Sequence, residues 1–400
     1  MPHILALSIE IATTALTVAG MAYFLASLAA ARSCLGERHA ATALQEQAGP
    51  WPGISILKSL KGLDAGMMDA FRSHCRQSYA GEYELLFGVS SLSDPAAAAV
   101  TALKAEFPER AITLVECPLR LGANGKVSTL AQLQPHARYD VLLVNDSDIT
   151  VSPHYLERVA SCFAPAAQEA GKAPVGLATA LYRGRAHATL ASRFEALGIA
   201  TDFMPGVLLS KLIEGGLHYG LGSTLAVRRE ALEKAGGLMA LADQLADDYE
   251  MGARVARAGY RVALAADVVE TSVPAYAWRG FVDHQLRWLR TVRDARPAGY
   301  AGLVFTHGLA WALLNVLASG ASPLSLWLLG LSLVLRLAQA MTVGAWVLGD
   351  RQVLASLWLL PLRDMVAMGL WAAGFAGDAI VWRGERFTLK DGRLTKTERQ

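Results

Sequence analysis

Tyr139-Asp140-Val141-Leu142-Leu143-Val144-Asn145-Asp146-Ser147-Asp148 decides how this chain is read. Four uninterrupted apolar residues, flanked by polar ones, describe a strand buried on both faces. Such strands belong to parallel sheets covered by crossover helices. Ligands of those sheets sit at the carboxyl ends of the strands, which is where Asp146 and Asp148 fall. Two carboxylates one residue apart suit a hard cation, Mg2+ or Mn2+, that keeps positions open for phosphate oxygens. Solvated turns use the same residues, so the strand before them is what gives the pair its meaning.

Working outward, the runs 54–57, 84–89 and 112–115 read as further buried strands, and 67–77, 95–106 and 126–134 as the helices between them. The alternation predicts an α/β, Rossmann-like, mostly parallel sheet. Asp94-Pro95 has the form of a helix cap followed by proline in the first turn. Lys58, Lys61 and Lys126 lie near strand ends or helix starts, where they can contact phosphates or be ordinary surface lysines. Asp247-Asp248-Tyr249 falls in a helical pattern over 241–257, and Gly220-Leu221-Gly222-Ser223 precedes the strand-like 225–227. A glycine turn and a carboxylate at one sheet edge could place a general base beside an acceptor hydroxyl. His284-Gln285-Leu286-Arg287-Trp288 opens a third feature on an amphipathic helix over 276–296, which also carries Arg290 and Arg293. It suits a basic helix resting on anionic headgroups, or an arginine fork on a diphosphate with Trp288 as a packing platform.

The chain is 53% hydrophobic and 18% charged, against about a quarter charged in ordinary soluble domains. The deficit lies at the two ends. Residues 4–30 carry one charge, Glu10, and a run of roughly 20 apolar residues spans a bilayer. The run is too long, and lacks preceding cations, for a cleaved leader. Arg32, Arg38, Lys58 and Lys61 follow it, so the positive-inside rule places the next domain in the cytoplasm. Runs at 302–318, 323–348 and 353–374 are further candidate spans, interrupted by Arg336, Arg363 and Asp364, which should face partners or a wet cavity. Three full spans would leave the basic tail outside, so a cytoplasmic tail requires one segment to be re-entrant or interfacial. The expected layout is an anchor at 1–31, a catalytic domain at 51–274, the amphipathic helix at 275–298, membrane segments at 301–378 and a basic cytoplasmic tail at 379–400. A net charge of +2 favours no nucleic-acid partner. Cys34, Cys75, Cys117 and Cys162 lack metal or disulfide spacing and read as idle thiols in a reducing compartment.

The ordered motifs resemble glycosyltransferase family 21, the ceramide glucosyltransferases. The matching stretches are Ser55 to Asp64, Tyr83 to Phe87, Asp94-Pro95-Ala96, Gly122 to Lys126, Asp146-Ser147, Ala235 to Leu238, Asp248-Tyr249, Arg287-Trp288 and Trp382-Arg383-Gly384. The resemblance implies a GT-A fold and metal-dependent, inverting transfer from a UDP-sugar donor to a membrane lipid acceptor. It assigns Asp94 to the nucleotide base and Asp146, here with Asp148, to the metal and diphosphate. It assigns Asp248 to the catalytic base, and Arg287 and Trp288 to the end of a Q/R-x-x-R-W motif. Lys58, Lys61, Lys126, Gly222, Asp247, His284 and Gln285 complete the expected substrate site. His284 departs from the leading Gln/Arg, with Gln285 beside it. Asp148 stands where ceramide enzymes tend to have glycine. Within the family the chain resembles the bacterial hopanoid-biosynthesis transferases. That implies UDP-N-acetylglucosamine, bacteriohopanetetrol and the bacterial inner membrane. The rivals are a ceramide glucosyltransferase using UDP-glucose, a processive polysaccharide synthase, for which the membrane part is small, and a non-catalytic membrane scaffold.

Overall fold

Burial of the apolar strands organises the catalytic half. In the computed structural model, which describes residues 2–45, 51–165, 171–382, 385–390 and 392–396, the strands are β1 (Ile54–Leu60), β2 (Tyr83–Val89), β3 (Ile112–Glu116), β4 (Val141–Val144), β5 (Ile149–Thr150), β6 (Val175–Ala186), β7 (Leu225–Arg228) and β8 (Arg261–Val273). They form one sheet in the order β3-β2-β1-β4-β7-β6-β8-β5. β1 runs parallel to β2 and β4, β2 to β3 and β6 to β8. β7 is antiparallel to β4 and β6, and β5 to β8. Successive crossovers go to opposite sides of β1, so a topological switch lies between β1 and β4, where ligands of such sheets bind. The helices that follow the chain are α1 (Pro2–Gln45), α2 (Met67–Cys75), α3 (Pro95–Glu106), α4 (Gly125–Leu133), α5 (Tyr155–Ser161), α6 (Leu190–Gly198), α7 (Met204–Ile213), α8 (Arg229–Lys234), α9 (Asp247–Arg257), α10 (Trp278–Ala295), α11 (Pro297–Gly302), α12 (Gly308–Ala318), α13 (Pro323–Gln339), α14 (Gln352–Ser356) and α15 (Leu360–Gly374).

Among the described residues, four helical stretches are long and apolar enough to cross a membrane: Ile4–His39, Leu190–Ile213, Pro323–Val347 and Gln352–Gly374. The pair Pro297–Thr306 and Gly308–Ala318 is bent by 57°. Contacts fix their directions. Thr13 and Thr14 each donate to Asn315 Oδ1 at 3.1 Å, while Gly20 meets Gly308, so α12 runs antiparallel to α1. Arg38 donates to the carbonyl of Val347 at 2.6 Å, so α13 and its π-helical extension return to the catalytic side. The last stretch touches the catalytic domain at both ends. Gln352 Nε2 donates to Gly184 O at 3.2 Å, and Arg293 Nη1 to Gly374 O at 2.8 Å. Its first turn is thus tied to β6 and its end to α10.

Two features depart from the expectations. Leu190–Ile213 was not read as an apolar helix, and more than half of it is buried inside the protein. Its charges are met by distant ones: Arg336 donates to Asp202 Oδ1 at 2.6 Å and to both oxygens of Asp364 at 2.7 and 2.8 Å, and Arg363 pairs with Asp202. The stretch expected as a basic tail folds into an antiparallel sheet, β9 (Ala379–Trp382), β10 (Glu385–Lys390) and β11 (Arg393–Lys396). Its alternating Ile380, Phe387, Leu389 and Leu394 bury against Leu245, and Leu394 N donates to Asp243 O at 2.8 Å. Arg383 and Gly384 of the expected Trp-Arg-Gly motif lie outside the described residues.

A Cβ on Gly308 would lie 2.8 Å from Gly20 Cα, whereas one on Gly330 would meet nothing within 4 Å. Gly308→Leu should therefore cost about 1–3 kcal/mol through overpacking and lower the melting temperature in detergent. Gly330→Leu should leave it unchanged, and equal effects of the two would contradict the α1–α12 contact.

Candidate active site

The loop after β4 is fixed from below before it presents any carboxylate. Asn145 donates to Ser223 O at 2.7 Å and to the Tyr155 hydroxyl at 3.0 Å, and its Oδ1 lies 3.1 Å from His74 Nε2. His74 is fully buried and its pKa is pushed down to about 3 by burial and by Lys58, so the ring is neutral and can donate. Lys58, buried in β1, donates to the Asp146 carbonyl at 3.0 Å. Burial pushes its amine down to about 7 against the pull of Asp146 and Asp148. Ser147 donates to Asp64, and Thr271 at the end of β8 donates to Asp148 Oδ2 at 2.6 Å.

Lys126 joins the two halves of the site. Its ammonium lies 2.7 Å from Asp146 Oδ1 and 3.5 Å from Asp247 Oδ2. Burial opposes the charge, but Asp146 and Asp247 outweigh it and raise the pKa. Asn124 positions Lys126: its Oδ1 caps α4 at Val127 N, 3.1 Å, and its Nδ2 donates to Gln244 O at 2.8 Å and Asp247 Oδ1 at 3.2 Å. Asp248 follows in the first turn of α9. A Cβ on Gly222 would lie 2.7 Å from Asp248 Oδ2, and one on Gly220 equally close to the Asp248 carbonyl. Only glycines let this turn lie flat against the carboxylate. Burial, then the charge of Asp247, pushes Asp248 up to about 6, and burial with Asp146 does the same to Asp148.

The third feature arrives on α10. His284 Nδ1 lies 2.9 Å from Glu195 Oε2 of α6, Gln285 Nε2 donates to the same oxygen at 3.4 Å, and the Tyr276 hydroxyl is 3.3 Å from His284. Trp288 packs on His284 and Phe203, with centroids 5.0 and 6.2 Å apart. This half of α10 is thus docked on α6. Arg290 and Arg293 do not form a diphosphate fork: Arg290 donates to Ala376 O at 2.8 Å and Arg293 to Gly374 O at 2.8 Å. These cations cap the carbonyl end of α15, where helix carbonyls attract positive charge. Burial, with the charge of Glu195, pushes the Tyr276 hydroxyl up, and the positive charge of Arg287 opposes that shift. Burial, then the charges of Asp248, Glu195, Asp146 and Asp148, raises the Tyr182 hydroxyl well above its ordinary pKa.

Asp94 caps α3 at Ala96 N, 2.9 Å, and also accepts from Gly62 N at 2.9 and 3.1 Å, bracing the loop after β1. Lys61 is exposed on that loop. Asp64, Asn124, Tyr182, Glu195, Thr271 and Tyr276 had not been singled out as site residues. Only Asn124 carries a local signal, as a cap just ahead of the helical run. No group of three or more metal-ligating side chains occurs among the described residues. Asp146 and Asp148 supply two carboxylates, each with one oxygen engaged. That is the donor set with which Mg2+ or Mn2+ binds when phosphates and water complete the shell, so the residues fit such a cation.

The sequence profile of glycosyl transferase family 21 matches residues 12–395. Ceramide glucosyltransferase 3 of Caenorhabditis elegans is 23% identical over 356 residues, covering 85% of this chain and 73% of that protein. Ceramide glucosyltransferase 1 of the same organism is 21% identical, covering 87% and 74%. Among solved structures, mannosyltransferase PcManGT from Pyrobaculum calidifontis, in complex with GDP-Man and Mn2+, aligns with a TM-score of 0.52 at 18% identity, over 92% of this chain and 97% of that one. The sheet and its flanking helices have the GT-A architecture of such transferases.

Lys126→Ala leaves Asp146, Asp247 and Asp248 without their shared cation. It should cost about 2 kcal/mol of stability at pH 7.5, less than the loss for a fully buried pair because Asp146 is partly exposed. The deficit should shrink at pH 5, where protonation of the raised carboxyls relieves the repulsion. Thermal melts at both pH values test this, and a deficit that grows on acidification would contradict it.

Proposed function

Because the chain belongs to glycosyl transferase family 21, we propose that it transfers a sugar from a UDP-sugar to a primary hydroxyl of a membrane lipid. The observation that carries the proposal is the meeting of the β4 loop, α4 and α9 around Lys126, with a half-buried, weakly acidic Asp248 beside them. Asp248 is the base that takes the acceptor proton; its raised pKa makes it a stronger base than an ordinary carboxylate while leaving it ionised near neutrality. The acceptor oxygen then attacks the anomeric carbon from the face opposite UDP, inverting it. Lys58, Lys126 and Arg287 offer positive charge to the departing diphosphate. Lys58, neutral to half charged alone, gains its proton as that diphosphate binds. Mg2+ or Mn2+, held by Asp146 and Asp148, supplies Lewis-acid neutralisation of the same leaving group when bound. Gly222 leaves space at Asp248, Asp94 braces the loop toward the nucleotide base, and Trp288 with His284 fixes the distance of Arg287 from the cleft.

The donor and acceptor we assign are UDP-N-acetylglucosamine and bacteriohopanetetrol, on the inner membrane of a bacterium with the catalytic domain in the cytoplasm. Arg32 and Arg38 at the catalytic end of α1 support that orientation. The nematode relatives favour a second pair, UDP-glucose and ceramide. A polymer channel is disfavoured, because α1, α12 and α13 pack on one another.

Purified protein incubated with UDP-sugars and polyol or sphingoid lipids should give a lipid carrying one sugar by mass spectrometry. Hexose on ceramide would favour the second pair, and a polymer or no product with any lipid would end the proposal. Asp248→Asn should lower kcat at least 10²-fold with UDP binding retained; near-normal turnover would remove Asp248 from the role. With the base deprotonated in the active form, wild-type kcat should fall as pH drops through about 6, whereas a flat profile from pH 5 to 8 would exclude a carboxylate of this pKa. EDTA should abolish transfer and Asp148→Ala should weaken metal-dependent UDP binding; activity undiminished in EDTA would refute the metal.

A further inference from the structure

A cavity of about 350 Å³ lies away from the carboxylates. It lies between the end of β6 (Ala186, His187), the outer face of α6 (Arg193, Leu197) and the turn joining α13 to α14 (Asp350, Gln352). Its walls are fixed. Gln352 Oε1 accepts from Ala186 N at 3.0 Å, Gln352 N donates to Asp350 Oδ1 at 3.0 Å, and His187 Nε2 lies 2.8 Å from the Ser272 hydroxyl.

Two lining charges lack counter-ions. Asp350 is 2% exposed, yet it forms no ion pair, and its second carboxylate oxygen has no partner among the described residues. Arg183, the cation that acts on it, is spent on Glu270 at 3.0 Å and on the carbonyls of Leu348 and Gly349 at 3.2 and 2.9 Å. A buried carboxylate without a cation is costly unless something completes it. Across the cavity, Arg193 is exposed and pairs with no acid among the described residues. The cavity lining thus includes one negative and one positive group, from the α13–α14 turn and from α6.

The depth is also marked. The turn is flanked by Trp346, at the end of one apolar stretch, and Trp358, in the second turn of the next, 69% and 72% exposed. Exposed tryptophans at span ends sit at headgroup level. A volume of this size suits a headgroup and its first methylenes, and Leu197 and Val353 supply apolar wall for the latter. We propose that this cavity is a lipid site separate from the catalytic cleft, which seats the zwitterionic headgroup of a bilayer phospholipid with its ammonium on Asp350 and its phosphate on Arg193. The site rests on the reading of the apolar helices as membrane-embedded, not on the sugar-transfer chemistry.

Native mass spectrometry of the full chain in detergent, with phosphatidylethanolamine and phosphatidylglycerol added in equal amounts, tests the site. Wild type should retain phosphatidylethanolamine about tenfold over phosphatidylglycerol, and Asp350→Asn and Arg193→Ala should each erase the preference. Ala355→Trp, at an exposed position on the rim, should block binding with an unchanged melting temperature, which guards against a folding defect in Asp350→Asn. Asp248→Asn should bind as wild type does, so a failure of transfer and a failure of lipid binding remain distinct. Equal retention of the two lipids, or a preference that survives all three cavity variants, would overturn the proposal. So would displacement of phosphatidylethanolamine by an uncharged polyol acceptor lipid at equal concentration, which would assign the cavity to the acceptor.

Discussion

Carboxylates in a water-poor cleft repel one another, and the catalytic half is arranged around that repulsion. Asp146, Asp148, Asp247 and Asp248 come from two segments a hundred residues apart in sequence and meet with a single ammonium, Lys126, between two of them. Lys126 can stand there because Asn124 caps α4 and reaches across to Asp247 and Gln244. The first turn of α9 adds the positive end of a helix dipole beneath Asp247 and Asp248. The repulsion that remains appears as proton affinity: Asp148 and Asp248 both sit well above the ordinary carboxylate range. One group wants a cation and the other wants a proton, a division imposed by position and not by residue type.

The strands at 54–60, 83–89 and 141–144 were legible because they are short apolar runs buried on both faces, and the one at 112–116, at the sheet edge and only partly buried, because its apolar run is as short. β6 and β8 were not. Val175–Ala186 is rich in alanine and glycine, which have weak strand preference, and Arg261–Val273 interrupts its valines with Ala265, Ala266 and Asp267; the two pair with one another. The same limit applies to α6 and α7. Arg193, Glu195 and Asp202 break the apolar run, and the pairing of Glu195 with His284 and of Asp202 with Arg336 and Arg363 is set by tertiary structure. At the site, the aspartates and the Arg-Trp pair could be found as motifs. Their supports could not: Glu195, Tyr182 and Tyr276 carry no spacing signal and acquire meaning only once α6, β6 and α10 converge. His284 illustrates this. It departs from the motif, yet its ring nitrogen engages a buried glutamate that no local pattern would have paired with it.

The apolar helices and the catalytic domain are parts of one folded unit. Two arginines and two aspartates, Arg336, Arg363, Asp202 and Asp364, balance charge where α7's approach, α13 and α15 meet. Removing one partner from such a buried network strands the others, at about 3–5 kcal/mol for a buried pair. The network therefore couples the placement of α6 to that of the helix bundle. Because Glu195 of α6 holds His284, the same coupling extends to Arg287 in the cleft. A displacement of the bundle would be felt as a displacement of the α10 arginine.

That coupling gives a physical reason for a transferase to bury its reactive carboxylate beside membrane helices. A lipid hydroxyl is carried by a molecule whose tails cannot leave the bilayer, so the base must come to the interface. Burial is also what raises Asp248 enough to accept a proton near neutrality. A water-exposed aspartate on a detached domain would meet neither condition. Gln352 and Gly374 tie α14–α15 to β6 and α10, and the C-terminal sheet closes on Gln244 and Leu245 just ahead of Asp247. Under the proposed transfer, these contacts would steady the segment that carries the base.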